Sequence, residues 1–204
     1  MKKLLYSSIP ILLLTILSVT NFSCSAITTI SNLQRLQFKL GDVHNFNIAG
    51  VKLSNARNLS DLNLLDAGKL TAAFASEKLP VSFTLDVLAK NPNTPGGYEN
   101  TTSALTRLGW RLLIDNKEVL DGVVNSEVTI PGTGQHAVIP INVAFDLWPF
   151  FNNMGYEGII NLALALGGVN GSSSRLTLKA TPSMQIFGVM VPAGEITIVD
   201  SQFN

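Results

Sequence analysis

The sequence predicts a mainly β chain, an antiparallel sandwich or barrel, and three observations point there. Stretches in which apolar and polar residues alternate recur along the chain, clusters of Gly and Pro punctuate them, and only two segments carry helical spacing instead. The clearest stretch is 81–90. There Val81, Phe83, Leu85, Val87 and Ala89 alternate with Ser82, Thr84, Asp86, Leu88 and Lys90, a period of two with one face buried and the other mostly wet.

The amino end has a different pattern. Lys2 and Lys3 give it a positive start, and residues 4–20 are apolar apart from Tyr6, Pro10 and a few Ser and Thr. Asn21-Phe22-Ser23 then leads into Cys24, the one cysteine in 204 residues. This run is too short and too interrupted for a transmembrane helix, which needs about 20 apolar residues. Ser23-Cys24 resembles the lipobox of bacterial lipoproteins, with Asn21 where that pattern has an aliphatic residue. The resemblance implies cleavage before Cys24, a diacylglyceryl group on its thiol and an acyl chain on its new amine. Several chains on one residue hold a protein on a membrane durably, since each buried methylene contributes about 0.8 kcal/mol. Ser25 is not an acidic retention residue, which favours the outer membrane. The expected location is therefore the bacterial envelope, with a lipid anchor as the membrane contact. The alternative is an ordinary signal cut nearby, with Cys24 a free thiol.

The expected organisation is a signal over 1–23, a small, polar, lipidated tether over 24–34, and one β domain over 35–204. Removing the signal takes two lysines and no acid, leaving 12 Lys and Arg against 14 Asp and Glu in 181 residues. That balance excludes a basic surface selecting nucleic acid or anionic lipid by its field alone. A globular chain of this size buries about 70% of its unfolded surface, so its core needs neither disulfides nor metals.

In chain order, Leu36, Phe38 and Leu40 alternate with Gln37 and Lys39. Phe46, Ile48, Val51 and Leu53 continue after a shift at Ala49-Gly50, which reads as a bulge. Ser60 then caps a helical stretch with Leu62, Leu65, Leu70, Ala73 and Phe74 on one face, ending before Pro80. After strand 81–90 comes Asn91-Pro92-Asn93-Thr94-Pro95-Gly96-Gly97, a dense turn signal in which proline bars continued pairing. Asn91 and Asn93 are expected to bond backbone groups that Pro92 leaves open. Further strands read at 108–115, with Trp110, Leu112 and Ile114 on one face, and at 124–130. A turn at Pro131-Gly132-Thr133-Gly134 leads into 137–145, where Ala137, Ile139, Ile141, Val143 and Phe145 share a side.

These residues carry a second resemblance. The alternating strand ending in Asn91-Pro92-Asn93, the next strand running toward a short Asp121-Gly122 turn, Ile130-Pro131 and then Ile139-Pro140 resemble the type 2 late embryogenesis abundant family, also called the water-stress and hypersensitive-response domain. The likeness spans roughly 79–147. It implies an immunoglobulin-like or fibronectin III-like antiparallel sandwich, a part in desiccation or stress tolerance, and no catalytic residues. Two short helical insertions, near 60–76 and 146–168, depart from the pattern.

The second insertion is the most apolar part of the mature chain. Asp146 can cap a turn holding Leu147, Trp148, Pro149, Phe150 and Phe151. Ile159, Leu162, Ala163 and Leu166 then follow helical spacing, although Leu162, Leu164 and Leu166 would also alternate as a strand; the helical reading is preferred. Trp148, Phe150, Phe151, Ile159 and Leu162 read first as a plug over one open end of the sandwich and second as an apolar ligand or partner patch. Strands at 175–181, 185–191 and 195–199 close the chain.

The residues supply little for chemistry. His44 and His136 are the only histidines, too few for a metal site or for a serine nucleophile's base, and the cysteine is committed to the membrane. No Gly-x-Ser-x-Gly elbow exists, and Gly167-Gly168-Val169-Asn170-Gly171 lacks the spacing of a dinucleotide loop. No enzyme, cofactor or metal is expected. The favoured function is an anchored accessory protein that engages envelope partners or protects envelope components under osmotic or drying stress, and the alternative is an apolar-ligand carrier. The denaturant unfolding curve of the protein is accordingly expected to be the same with and without EDTA; a loss of stability on chelation would reveal a bound metal.

Overall fold

A computed structural model describes residues 33–53, 61–92, 102–132, 134–167 and 176–199. The expected signal over 1–23, Cys24, Ser60 and Asn93 lie outside these residues. The chain is mainly β with antiparallel pairing throughout.

One sheet holds four strands, β1 (Gln37–Ile48), β2 (Val51–Lys52), β3 (Pro80–Lys90) and β8 (His136–Asp146), in the order β2-β1-β3-β8. β3 and β8 are the expected strands at 81–90 and 137–145. They pair residue for residue, from Pro80 opposite Asp146 to Lys90 opposite His136. Val81, Phe83, Leu85, Val87 and Ala89 are buried, as are Ile139, Ile141 and Val143.

β1 reaches the same core by a less regular route. Its register against β3 shifts between Leu40 and Val43 and again between His44 and Asn47. Each shift moves the inward phase by one residue, so Leu40, Val43, Phe46 and Ile48 are all buried although their spacing is not two throughout. The expected bulge at Ala49-Gly50 is instead a two-residue hairpin turn joining β1 to β2. Both residues have positive φ, 49° and 81°, the conformation whose twist matches the flanking strands. Asn47 Oδ1 braces it by accepting from the Gly50 N–H at 2.9 Å.

The second sheet contains β5 (Arg107–Ile114), β6 (Lys117–Val124), β9 (Leu176–Ile186) and β10 (Val189–Pro192) in the order β10-β9-β5-β6, with β11 (Ile196–Ile198) also paired to β9. Leu108, Trp110, Leu112 and Ile114 are buried, which bears out the face expected for 108–115. The neighbouring expectations need correction. The chain turns at Asp115-Asn116, both with positive φ, and Asp121-Gly122 lies inside β6. Gly122 is there for space and not for a turn: a Cβ on it would sit 2.4 Å from Cζ2 of Trp110, its partner across the ladder. The expected strand at 124–130 resolves into the end of β6 and a separate β7 (Val128–Ile130), which pairs with β4 (Ser103–Leu105) as a two-stranded sheet. The expected strand at 185–191 is broken at Phe187-Gly188, a third hairpin turn with positive φ at both residues.

The inward faces of both larger sheets belong to one continuous hydrophobic core, which includes Leu33 and Leu36 ahead of β1. A main-chain bond of 3.2 Å from the Leu40 N–H to the carbonyl of Val199 joins β1 to the chain just beyond β11.

Among the described residues after β2, helices run over α1 (Leu64–Ala75), α2 (Trp148–Phe151) and α3 (Gly155–Gly167), the last two joined by a 3-10 turn (Asn152–Met154). The preferred helical reading of the 159–166 run therefore holds. The cap of α1 is Asn63, whose side chain accepts from the Asp66 N–H at 2.8 Å while donating to the Asp66 carboxylate. Leu70 is buried in the core, but Leu65, expected on the inner face, is 71% exposed, beside Leu64 at 92%. With the helix starting four residues after Ser60, its first turn lies beyond the surface that Leu70 covers.

The N-cap position of α2 is Leu147 and not Asp146, but the Asp146 side chain still serves the first N–H of the helix. One carboxylate oxygen accepts from the N–H of Trp148 at 2.9 Å and from that of Leu79 at 2.8 Å, joining the start of α2 to the approach to β3. The two insertions also pack on each other. Phe74 of α1 meets the rings of Trp148 and Tyr156 edge to face, with centroids 5.0 and 5.2 Å away. Lys117 lies over the rings of Phe150 and Phe151 and donates to the Phe150 carbonyl.

The Gly122→Ala variant should lose about 1–3 kcal/mol of stability in denaturant melts, the usual cost of overpacking. Most of that loss should disappear when Trp110 is replaced by leucine in the same protein. An unchanged midpoint for Gly122→Ala alone would show that the indole does not need the space.

Candidate functional site

β4 and β5 are one run of chain that forks from β9 at Thr106. From Arg107 onward β5 lies along β9, with Arg107 opposite Ser183; before it, β4 pairs with β7 instead, Ser103 opposite Ile130. Thr106 holds the fork in two ways. Its N–H donates to the Ser183 carbonyl at 3.0 Å, and its Oγ1 accepts from the Gln185 N–H at 3.1 Å. The side chain thus takes the place of a ladder partner that β4, having turned away, no longer offers.

Where the two strands cease to pair, a cleft of about 660 Å³ opens between them. It is lined by Thr102, Ser103, Ala104 and Thr106 on one wall, Met184, Gln185 and Gly188 on the other, and Glu127 ahead of β7. That volume is within the usual range of small-ligand sites, about 300–1,000 Å³. The Oγ of Ser103 is buried and has no hydrogen-bond partner, in a residue only 3% exposed. A buried hydroxyl left unpaired costs roughly 1–3 kcal/mol, so such groups are uncommon. A smaller hollow of about 380 Å³ adjoins, over Gly109 and between Arg107, Thr181, Ser183, Met190 and Pro192. The hairpin tip beyond the cleft exposes Phe187, Val189 and Met190.

The residues singled out by sequence are placed elsewhere. Asn91 is buried just past the end of β3, with Pro92 half-buried beside it. Phe151, Ile159 and Leu162 are buried in the core, and Trp148 and Phe150 are half-buried against it. These five do not line either cavity described above, and Ile159 and Leu162 have no exposed surface to offer a partner. His44 Nε2 lies 2.9 Å from the Asp86 carboxylate on the wet face of the first sheet, and His136 is exposed at the start of β8. Among the described residues, no three His, Cys, Asp or Glu side chains come close enough to share a metal ion.

Arg111 lies on the outer face of the second sheet, paired with two carboxylates. It bonds Glu195 at 2.5 Å and Glu118 at 3.0 Å. The bond to Glu195 and that residue's negative charge raise the guanidinium pKa above its ordinary value, with Glu118 adding to the effect. A group with a raised pKa contributes stability below its unfolded value and loses it only as pH climbs through the folded one. For arginine that window lies far above neutrality. Exposed pairs of this kind contribute little, so Arg111 is read as a solvated clasp across β5, β6 and the approach to β11.

The cleft was not legible in advance. A short run of hydroxyl residues looks like any loop. The one available signal was the interruption of strand pattern between 103 and 107, where Thr106 stands between the inward Leu105 and the inward Leu108.

No family model matches the chain, and none of the curated proteins does. Similar solved structures include the following two. A crystal structure of a protein from Archaeoglobus fulgidus is 14% identical, covering 57% of this chain and 80% of its own, with a TM-score of 0.32. A solution structure named for the late embryogenesis abundant proteins is 13% identical, covering 89% of this chain and 88% of its own, with a TM-score of 0.34.

If Thr106 holds the fork, Thr106→Val should lower stability by about 1–3 kcal/mol, because the Gln185 N–H loses its acceptor. Hydrogen exchange should show the Gln185 amide losing protection while those of Leu112 and Leu178 keep theirs. Unchanged protection at Gln185 would mean that another group serves that N–H.

Proposed function

We propose that this chain is a non-catalytic, lipid-anchored accessory protein of the bacterial envelope. In this reading acylated Cys24 holds the domain on the outer membrane. The two antiparallel sheets form a sandwich of the immunoglobulin or fibronectin III kind, as in type 2 late embryogenesis abundant proteins. The domain engages or shields envelope components when water is withdrawn.

The observation that carries this reading is the order of residues at the amino end: Lys2-Lys3, the apolar run over 4–20, and Ser23 directly before the one cysteine. The fold supports it through distance. Leu33 and Leu36 are buried in the core, so only residues 25–32 separate the anchor from the domain. Eight residues span at most about 28 Å even when fully extended, which keeps the domain close to the membrane surface. A role without catalysis is also in keeping with a second sheet whose outer face carries paired charges, Arg111 with Glu118 and Glu195.

Cys24→Ala tests the anchor. The variant should lose incorporation of a clickable fatty acid and leave the membrane fraction, while incorporation equal to that of the unaltered protein would end the lipoprotein reading. The stress role is tested separately by survival of a deletion strain after drying and after osmotic upshift. Survival matching the parent under both would remove that role and leave the anchor standing.

A further inference from the structure

The geometry points to a second membrane contact: the tip of the β9–β10 hairpin, Phe187 with Val189 and Met190, dips into the headgroup boundary of the bilayer that holds the anchor. The inference rests on the lipid-anchored reading and adds to it the part of the domain that meets the lipid.

The tip has the chemistry of a lipid contact. Phe187 is 68% exposed, Val189 63% and Met190 41%. Successive residues of a strand point to opposite faces, so Val189 and Met190 cover both faces of β10 while Phe187 stands at the turn. No Asp, Glu, Lys or Arg lies between Lys179 and Glu195, so no charge has to leave water when the tip is covered. A flat protein partner would cover one face of such a finger, whereas a bilayer surrounds it. Phe187 also has a φ of 50°, a conformation that hairpin turns usually give to Asn, Asp or Gly and that is uncommon for a bulky side chain. Gln185, exposed opposite Met190, keeps its amide in water and confines the contact to the boundary layer.

The tip also points the way the chain leaves for Cys24. Lys117, at the β5–β6 turn, lies over Phe150 just past Asp146, so that end of the second sheet shares an end of the molecule with Asp146 and Pro80. The opposite end holds Gln37 paired with Lys90 in the first sheet and Arg107 paired with Ser183 in the second. Leu36 directly precedes Gln37, and β9 continues from Ser183 to the turn at Phe187, about 13 Å further out. The Leu40–Val199 bond ties the two sheets and gives a common reference. From it, Phe187 lies about 31 Å away along β9, counted from Leu178, the partner of Ile198. The chain runs back from Leu40 through about 13 Å of strand to Leu36, and residues 25–32 can add up to about 28 Å beyond Leu33. That reach is enough to set Cys24 level with the tip.

The test uses the full chain, purified from bacterial membranes and reconstituted in phosphatidylethanolamine and phosphatidylglycerol vesicles that include a lipid brominated on its acyl chains, a short-range quencher of indole emission. Phe187→Trp and Val189→Trp each place an indole at the tip. Lys78→Trp places one at the opposite end, on an exposed position just ahead of β3. The unaltered protein, with Trp110 buried and Trp148 half-buried, supplies the background. Phe187→Trp exchanges one aromatic ring for another on an exposed turn, so it leaves the fold as it is. The emission added by either tip variant should shift to the blue on reconstitution and be lost to the brominated chains, while that added by Lys78→Trp should stay unchanged. Fatty-acid incorporation, read on the same preparations, separates this contact from the anchor. Acylated protein whose tip indoles are quenched no more than that of Lys78→Trp overturns the proposal and leaves the anchor reading standing. Quenched tip indoles without acylation would uphold the contact and end the anchor reading, and the absence of both would overturn both.

Discussion

Every second side chain of β3 is buried, and much of the molecule follows from that constraint. With Val81, Phe83, Leu85, Val87 and Ala89 all inward, a slip of one residue would send five apolar groups into water and bring Ser82, Thr84 and Asp86 into the core. β8 meets the constraint by matching β3 residue for residue over its full length. β1 has a sequence that does not alternate cleanly, and it meets the same constraint with two register shifts. The irregular strand adapts to the regular one, and the ends of the sheet are then fixed: Asp146 comes to lie where it can bond both Leu79 and Trp148.

This explains which parts could be read in advance. β3, β5 and β8 carry alternation strong enough to announce themselves, and α3 carries helical spacing. The bulges of β1 could not be located, because an extra residue is defined by the partner strand, and pairing is not written in either strand alone. Asp121-Gly122 has the composition of a turn, yet its glycine answers to the indole of Trp110, twelve residues earlier in the chain on the other side of a hairpin. Ser60 and Asn63 are two polar residues of similar capping aptitude one turn apart, and it is Asn63 that caps α1. The cleft at Thr106 was the least legible of all. It exists because one strand changes partners, and nothing in the composition of 102–106 states which partner that will be.

The two helical insertions looked like independent departures from a β pattern. In the fold they are coupled through Phe74, which meets both Trp148 and Tyr156 edge to face, and through Lys117, which ties the β5–β6 hairpin to the turn at Phe150. Apolar residues that could have formed an open patch are instead occupied with one another and with the core. The polar cleft lies between different elements, the β4–β7 pair and the β9–β10 hairpin, so its lining can vary without disturbing the aromatic cluster.

The burial of Leu33 and Leu36 has a mechanical side. If the chain is held at Cys24, any tug on the domain enters at these two leucines and passes directly into β1, an interior strand of its sheet. β1 is laced to β3 along most of its length and clipped to the chain beyond β11 by the Leu40–Val199 bond. A load applied along such a strand is shared by many ladder bonds at once, and does not peel them one after another. A pull that entered there would therefore fall on a part of the fold suited to resist it, with the load spread along the strand.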